Sequence, residues 1–163
     1  MNGSGRSSAF ALPDDYRAST VLSHRESRLV LRATRVDTGE ARILKCLVPP
    51  FPTEEEDAFR SEFLLLDALR HPCWVRPLRF GSLPDGGRFL EMEESPGVTL
   101  SRWSIRGWWP ETLAVAHQVL SGLEVLHRLG YAHLDLGPEQ ILVESAEAPK
   151  PWDAEAAVAS TAT

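Results

Sequence analysis

The order of the apolar segments constrains the fold of this chain more than any other feature of the sequence. Five short apolar runs, each bounded by turn residues, have the length and composition of β-strands. They predict strands at about residues 16–23, 28–36, 41–48, 74–80 and 88–92. An Asp-Thr-Gly-Glu turn at 37–40 and a Pro-Asp-Gly-Gly turn at 84–87 separate neighbouring runs, as in antiparallel hairpins.

A helix is predicted after the third strand. Three prolines at 49, 50 and 52 end the strand geometry, and Thr53 followed by Glu56 is a capping-box pattern. Apolar residues then recur at helical spacing, at Phe59, Phe63, Leu66 and Leu69. The helix is therefore expected to run from Thr53 to about Arg70, where the following His71-Pro72 pair stops it.

A second, longer helix is predicted after Pro110, over residues 111–129. Its apolar positions form two neighbouring stripes, one with Leu113, Ala116, Leu120, Leu123 and His127, the other with Val115, Val119, Gly122 and Leu126. A stripe this wide predicts a mostly buried helix, and one that exposes a broad apolar face if nothing more of the protein covers it. Gly130 is placed to cap the helix. A loop containing His133 and Asp135 and a short strand at 141–143 follow.

Composition narrows the class of protein. Apolar residues make up 43% and charged residues 25%, as in ordinary globular domains. A net charge of −6 argues against nucleic-acid and anionic-membrane partners. No apolar run is long enough to cross a bilayer, and no signal peptide is evident. Cys46 and Cys73 lack metal-site spacing, so we expect reduced thiols and a cytoplasmic location. Residues 1–13 and 145–163 have the composition of disordered ends.

Four segments together resemble the protein kinase domain, in the manner of bacterial Ser/Thr kinases. They are Ala41–Lys45, similar to V-A-I-K; Phe59–Val75, similar to the first kinase helix and its His-Pro exit; Phe89–Leu100, similar to strand five and the hinge; and His133–Gln140, similar to H-R-D-L-x-x-x-N. The resemblance covers about residues 16–143 and implies an α+β fold. It implies a small lobe at about 14–95, with a five-stranded antiparallel sheet and one helix, and the start of a helical large lobe at about 96–144.

Three residues carry the implied phosphoryl-transfer chemistry. Lys45 is a lone cation inside an apolar strand, where burial requires a partner. By resemblance, Glu62 is that partner, the two position ATP phosphates, and Asp135 accepts or orients the substrate hydroxyl proton. The plain alternatives are an edge-strand lysine, a solvated glutamate and a turn-capping aspartate. His133 is expected to pack and hydrogen-bond structurally.

The resemblance also implies a nucleotide pocket and a metal ligand. Val30 and Ile43 would cover the adenine ring, although core packing explains both residues equally well. Met92 falls at the gatekeeper position, and the backbone groups of Glu93 and Ser95 would bind adenine. Gln140 would take the place of the asparagine that binds Mg²⁺. ATP and Mg²⁺ are therefore the expected cofactors.

Several positions depart from the kinase pattern. Aligned on Val30, residues 23–30 carry none of the three glycines of G-x-G-x-x-G-x-V, whose backbone approaches phosphate closely. Leu134 replaces the catalytic-loop arginine and Gly137 replaces a lysine that contacts phosphate. No D-F-G or A-P-E motif follows, and Asp153 matches the D-F-G aspartate in spacing alone.

We therefore expect a protein kinase-like domain that stops before the metal-binding segment and is inactive or weakly active as an ATP-dependent Ser/Thr kinase. The alternatives are a pseudokinase-like interaction module and a non-functional fragment of a larger signalling protein. A protein substrate or partner is expected to dock on the exposed face of the 111–129 helix.

Overall fold

A computed structural model describes residues 11–103 and 109–144 of the chain. Its strands are β1 (Tyr16–Arg25), β2 (Arg28–Arg35), β3 (Ala41–Leu47), β4 (Pro77–Ser82), β5 (Arg88–Glu93), β6 (Val98–Thr99) and β7 (Leu142–Val143). Its helices are α1 (Thr53–Ala68), α2 (Leu100–Trp103) and α3 (Trp109–Arg128). The predictions for residues 1–10 and for the 145–163 tail, including Asp153, lie outside the described residues.

Strands β1 to β5 form one antiparallel sheet in the order β1-β2-β3-β5-β4, which confirms the predicted α+β architecture. The third strand lies in the middle of this sheet, where Lys45 pairs in register with Val30 on one side and Leu90 on the other. The alternative of an edge-strand lysine is therefore wrong.

Alternation along β3 sends its side chains to two separate cores. Ile43 and Leu47 belong to the core beneath α1, which also includes Phe59 and Leu66. The other face of the sheet carries a second core, made of Tyr16, Leu29, Leu31, Ala33, Leu44, Cys46, Leu83 and Phe89, with Leu12 packed against it. Lys45 points to the same face as Ile43, so the first core fixes the side on which its ammonium lies.

The ends of α1 differ from the sequence expectation. Pro52, in extended conformation, is the N-cap, and Thr53 is already helical, so the predicted capping box is wrong. Glu56 instead pairs with Arg88 of β5, with a distance of 2.7 Å between Glu56 Oε1 and Arg88 Nε. The helix ends at Ala68, two residues before the predicted Arg70. A proline suits the N-cap because it has no N–H that needs a partner.

The fourth strand begins at Pro77 instead of residue 74, so that boundary was also wrong. Trp74 lies in the preceding loop and is buried. Its indole Nε1 donates to the carbonyl oxygen of Gly122 on α3 at 3.1 Å. A buried indole needs such a partner, and this bond ties the sheet's loop to the long helix.

Helix α3 buries only one of its two predicted apolar stripes. Val115, Val119, Gly122 and Leu126 are buried, whereas Leu113 is 50% exposed and Leu120 64% exposed. The prediction of a mostly buried helix is therefore wrong for the described residues, which leave an apolar face uncovered. A partner that docks there stays a prediction.

Gly130 ends α3 as the sequence predicted. Its φ of +84° is left-handed, its N–H donates to the His127 carbonyl at 2.9 Å, and the Tyr131 N–H donates to the Leu126 carbonyl at 3.2 Å. These two bonds define a Schellman cap.

Strands β6 and β7 pair with each other and bring the segment after β5 next to Leu142 and Val143, which follow the predicted catalytic loop. Within residues 11–103 and 109–144, none of the helices combines the length and the apolar character needed to cross a bilayer. The cytoplasmic location stays a prediction.

Candidate active site

A buried ion pair joins the central strand to the first long helix. Lys45 Nζ donates to Glu62 Oε1 at 2.9 Å, and the two residues are 4% and 1% exposed. The alternative of a solvated glutamate is therefore wrong. Burial raises the pKa of Glu62 above its ordinary value, while Lys45 and then Arg28 pull it back down. Charges this deep are tolerated because each supplies the other's counter-ion.

Packing of α1 explains why Glu62 faces the sheet. Phe59 and Leu66 lie three residues before and four residues after it, and both are buried under the sheet. Residues at these spacings share one helix face, so Glu62 is carried inward with them. The pairing predicted between a strand lysine and a helix glutamate thus arises from two apolar anchors.

The β1–β2 connection is a two-residue turn at Glu26 and Ser27. Glu26 takes a left-handed φ of +49°, which is uncommon for a residue with a side chain. Ser27 Oγ donates to Glu55 Oε1 of α1 at 2.7 Å, and the Ser27 carbonyl accepts from Val48 N–H at 2.7 Å. The segment where kinases keep three glycines is therefore fastened to α1 and β3.

Arg28 is a site residue that sequence reasoning did not single out. Its Nε donates to Glu55 Oε1 at 3.3 Å, and its Nη1 lies 3.8 Å from Glu62 Oε2. Its guanidinium also lies over the Phe59 ring, 5.8 Å from the ring centroid. The available signal was an arginine at the start of β2, two residues before Val30 and therefore on the same face of the strand.

The residues predicted to surround adenine come together only in part. Val30, Ile43 and Met92 are buried in the core that also packs α1, and Ile43 pairs in register with Met92. Glu93 follows at the end of β5, and its N–H donates to the Arg76 carbonyl at 3.1 Å. Ser95 Oγ donates to Glu144 at 3.0 Å. Core packing accounts for the first three residues, and their adenine contact stays a prediction.

An ion pair crosses from the sheet to the segment after β5. Arg32 of β2 pairs with Glu94, which lies between Glu93 and Ser95. Arg32 is two residues beyond Val30, on the same face of the strand. This contact holds the predicted hinge against the sheet.

The loop around Asp135 is closed by the side chain of Gln140. Its Nε2 donates to Asp135 Oδ2 at 3.4 Å, and its Oε1 accepts from the Gly137 N–H at 2.5 Å. Asp135 itself is exposed. Its role as a base stays a prediction.

His133 is buried and stacks on Trp74, with ring centroids 6.2 Å apart and an interplanar angle of 24°. Burial lowers the pKa of its imidazole, so the ring is neutral at physiological pH. The packing role expected from the sequence agrees with this position.

The acidic, histidine and cysteine side chains of the described residues do not gather into a metal site. Across the two described ranges, no group of three or more His, Cys, Asp or Glu side chains could hold a metal ion. The Gln140 oxygen, the predicted ligand, is already engaged by Gly137. The metal role of Gln140 stays a prediction.

A second buried carboxylate, Glu91, lies on the opposite face of the sheet. The Tyr16 hydroxyl donates to Glu91 Oε2 at 2.6 Å, and three arginines surround the carboxylate at 3.3–3.7 Å, namely Arg35, Arg42 and Arg79. Burial and the Glu91 contact raise the pKa of Tyr16. Glu91 is a lone charge between the apolar residues Leu90 and Met92, which is the same kind of signal that marked Lys45. No prediction was made for Glu91 from this signal.

Comparison with known proteins places the chain in a family. No family model matches it. Serine/threonine-protein kinase pkn3 of Myxococcus xanthus is 31% identical over 134 residues, which cover 79% of this chain and 24% of that protein. Serine/threonine-protein kinase D2 of Homo sapiens is 36% identical over 60% of this chain and 11% of its own length. Serine/threonine-protein kinase ULK3 of Mus musculus is 32% identical over 69% of this chain and 25% of its own length.

The chain thus spans about a quarter of the length of pkn3 and ULK3, and less of kinase D2. The described residues form the five-stranded sheet, α1 and the following helices in the order that the resemblance implied. This chain belongs to the protein kinase family, and its described residues form the small lobe and the start of the large lobe of a kinase domain.

Proposed function

We propose that the chain binds ATP through the Lys45–Glu62 pair and supports slow phosphoryl transfer to Ser or Thr hydroxyls of a protein. The observation that carries the proposal is the 2.9 Å contact between Lys45 Nζ and Glu62 Oε1 in the interior. An ammonium has three N–H donors, so it can hold a carboxylate and a phosphate oxygen together. Phosphate binding requires a lysine ammonium in a fixed position, and the contact with Glu62 holds the Lys45 ammonium in place.

The other residues have supporting roles in this proposal. The backbone of Glu93 and Ser95 binds the adenine edge, and Val30 and Ile43 cover its ring. Asp135 orients the acceptor hydroxyl and takes its proton as the oxygen attacks the terminal phosphorus. The bond from that phosphorus to the bridging oxygen breaks, and ADP leaves.

A second candidate is a kinase-like binding module that holds nucleotide or a protein without turnover. Two observations favour it. The β1–β2 turn is fastened to Glu55 and offers no glycine backbone to the phosphates, and the Gln140 oxygen is engaged by Gly137. Catalysis in the family depends on the glycine backbone of this turn and on a free metal-binding amide oxygen. In this chain the turn lacks the glycines, and the amide oxygen of Gln140 is occupied.

Nucleotide binding is tested by thermal melting of the full chain with ATP, with and without Mg²⁺. At about ten times Kd, binding adds about 1.4 kcal/mol to the free energy of unfolding, or a Tm rise of about 3–6 °C. Lys45→Met is expected to abolish the rise, whereas Arg70→Met, which removes an exposed cation just beyond α1, is expected to keep it. An unchanged Tm in the parent chain, or equal rises in the parent and Lys45→Met, contradicts the proposal.

Catalysis is tested by transfer of terminally labelled phosphate from ATP to a Ser/Thr-rich protein. Asp135→Asn is expected to reduce the rate about 10²–10⁴-fold, and Glu139→Gln, an exposed carboxylate in the same loop, to leave it unchanged. Binding without transfer in the parent chain selects the second candidate. Equal transfer by the parent and Asp135→Asn eliminates Asp135 as the base.

A further inference from the structure

Glu62 lies between two cations that come from different strands. Lys45 of β3 binds its Oε1, and Nη1 of Arg28 on β2 lies 3.8 Å from its Oε2. Both Arg28 Nη1 and Glu62 Oε2 are buried, and neither has a hydrogen-bond partner among the described residues. A donor without an acceptor thus faces an acceptor without a donor, and a small rotation of the guanidinium brings them into contact.

Two features of α1 hold Arg28 in this position. Glu55 accepts from Arg28 Nε at 3.3 Å, and the same Glu55 oxygen accepts from Ser27 Oγ at 2.7 Å. Glu55 and Glu62 are seven residues apart, or almost two helical turns, so both carboxylates lie on the side of α1 that faces the turn. The Phe59 ring between them lies under the guanidinium.

We propose that Arg28 is a positioning residue, which engages the second oxygen of Glu62 and thereby fixes the orientation of the Lys45–Glu62 pair. A carboxylate bound through both oxygens cannot rotate away from the lysine, so α1 stays on the sheet without a nucleotide. Arg28 occupies the position of the third glycine in the kinase loop, where the family has no side chain. The purpose of this arrangement rests on the proposed nucleotide site, but the contact itself does not.

The charges around Glu62 give this contact a pH signature. Lys45 faces it from β3 and Arg28 from β2, and Glu55 on its own helix faces Arg28. Burial raises the pKa of Glu62 above 4.5, and both cations oppose that rise. Because the folded state holds the proton more tightly, the proton-linked part of the Glu62 contribution to stability is present at acid pH and is lost as pH rises through the folded pKa. Removal of Arg28 raises that pKa further and enlarges the loss.

The test is thermal melting of the full chain between about pH 4.5 and about pH 7. Arg28→Ala is expected to melt below the parent, with a deficit that grows by about 3–5 °C across this interval. In a Glu62→Gln background the Tm deficit caused by Arg28→Ala is expected to be the same at both ends of this pH interval, because the titrating carboxyl is gone. Arg25→Ala, which removes an exposed arginine from the facing position in the same hairpin, is expected to run parallel to the parent.

A deficit that is constant with pH, or that persists unchanged in the Glu62→Gln background, overturns the proposal in favour of simple packing on Phe59. Should Arg28→Ala fail to fold, Glu55→Gln provides the milder perturbation, with a smaller growth in the same direction. Arg28→Lys is expected to restore part of the pH profile because it retains the charge. Its failure to differ from Arg28→Ala also counts against the proposal.

Nucleotide affinity separates this inference from the proposed function. If the parent chain binds ATP, Arg28→Ala is expected to weaken the Kd about 5–10-fold, since Lys45 is less well oriented. If the parent chain does not bind ATP, the proposed function fails, and the pH profiles still decide whether Arg28 positions Glu62.

Discussion

Substituting Glu62 is expected to lower the stability of the fold more than substituting its partner Lys45. Glu62→Leu removes the carboxylate and leaves the Lys45 ammonium, only 4% exposed, in the interior without that counter-ion. Truncating one partner of a buried pair costs about 3–5 kcal/mol. A domain of this size has a total stability of about 5–15 kcal/mol, so this single change removes a large share of it.

Lys45→Met is expected to cost less, about 1–3 kcal/mol. Glu62 retains Arg28 at 3.8 Å, and burial already raises the pKa of its carboxyl, so the group can take up a proton. In Glu62→Leu, by contrast, the Lys45 ammonium loses the carboxylate that it contacts at 2.9 Å. The double variant Lys45→Met/Glu62→Leu replaces the pair with apolar side chains of similar volume and is expected to lie within about 1 kcal/mol of the parent.

Urea unfolding followed by circular dichroism at neutral pH measures these differences, provided that the m-value is unchanged. Asp67→Leu, an exposed carboxylate on the same helix, serves as the control and is expected to change stability by less than about 0.5 kcal/mol. The reasoning is refuted if the double variant loses as much stability as the two single variants added together, since the two side chains would then be uncoupled.

Four further predictions concern the stability and the thiol reactivity of the fold. Gly97→Ala places a Cβ 2.6 Å from the Val143 carbonyl oxygen at a φ of +137°, so it is expected to cost about 2–3 kcal/mol by urea unfolding. Gly130→Ala, where nothing lies within 4 Å, is expected to cost only about 1 kcal/mol from its left-handed φ. Burial raises the pKa of Cys46 to about 12, so alkylation at pH 8 is expected to be slow until the chain is unfolded in urea. Leu44→Ala, at a fully buried position of the second core, is expected to cost about 3 kcal/mol by the same urea assay.

Regular patterns made the fold predictable in outline. Turn chemistry at 37–40 and 84–87 marked two hairpins, and the spacing of Phe59, Phe63 and Leu66 marked α1, because strand and helix periods are properties of local sequence. Element ends were less predictable. Thr53 looked like a cap, yet Pro52 took that position and Glu56 was drawn to Arg88, since the competing partner lies on a strand distant in sequence.

The candidate site shows the same division. A lysine among apolar residues on β3 signalled a buried cation, and Glu62 was its predicted counter-ion. Arg28 and the Glu91 network escaped prediction, because their significance depends on which distant groups face them. No local sequence pattern predicts that the β1–β2 turn will contact α1.

The sequence by itself determined the five strands, the two long helices and the buried lysine, because these follow from side-chain periodicity and from the cost of an isolated charge among apolar neighbours. Tertiary structure alone decided that Glu62 has two cationic neighbours, that Gln140 closes its loop on Asp135, and that one stripe of α3 remains uncovered. The physical reason is that ionic contacts, hydrogen bonds and burial depend on distances between residues far apart in the chain, and only packing sets those distances.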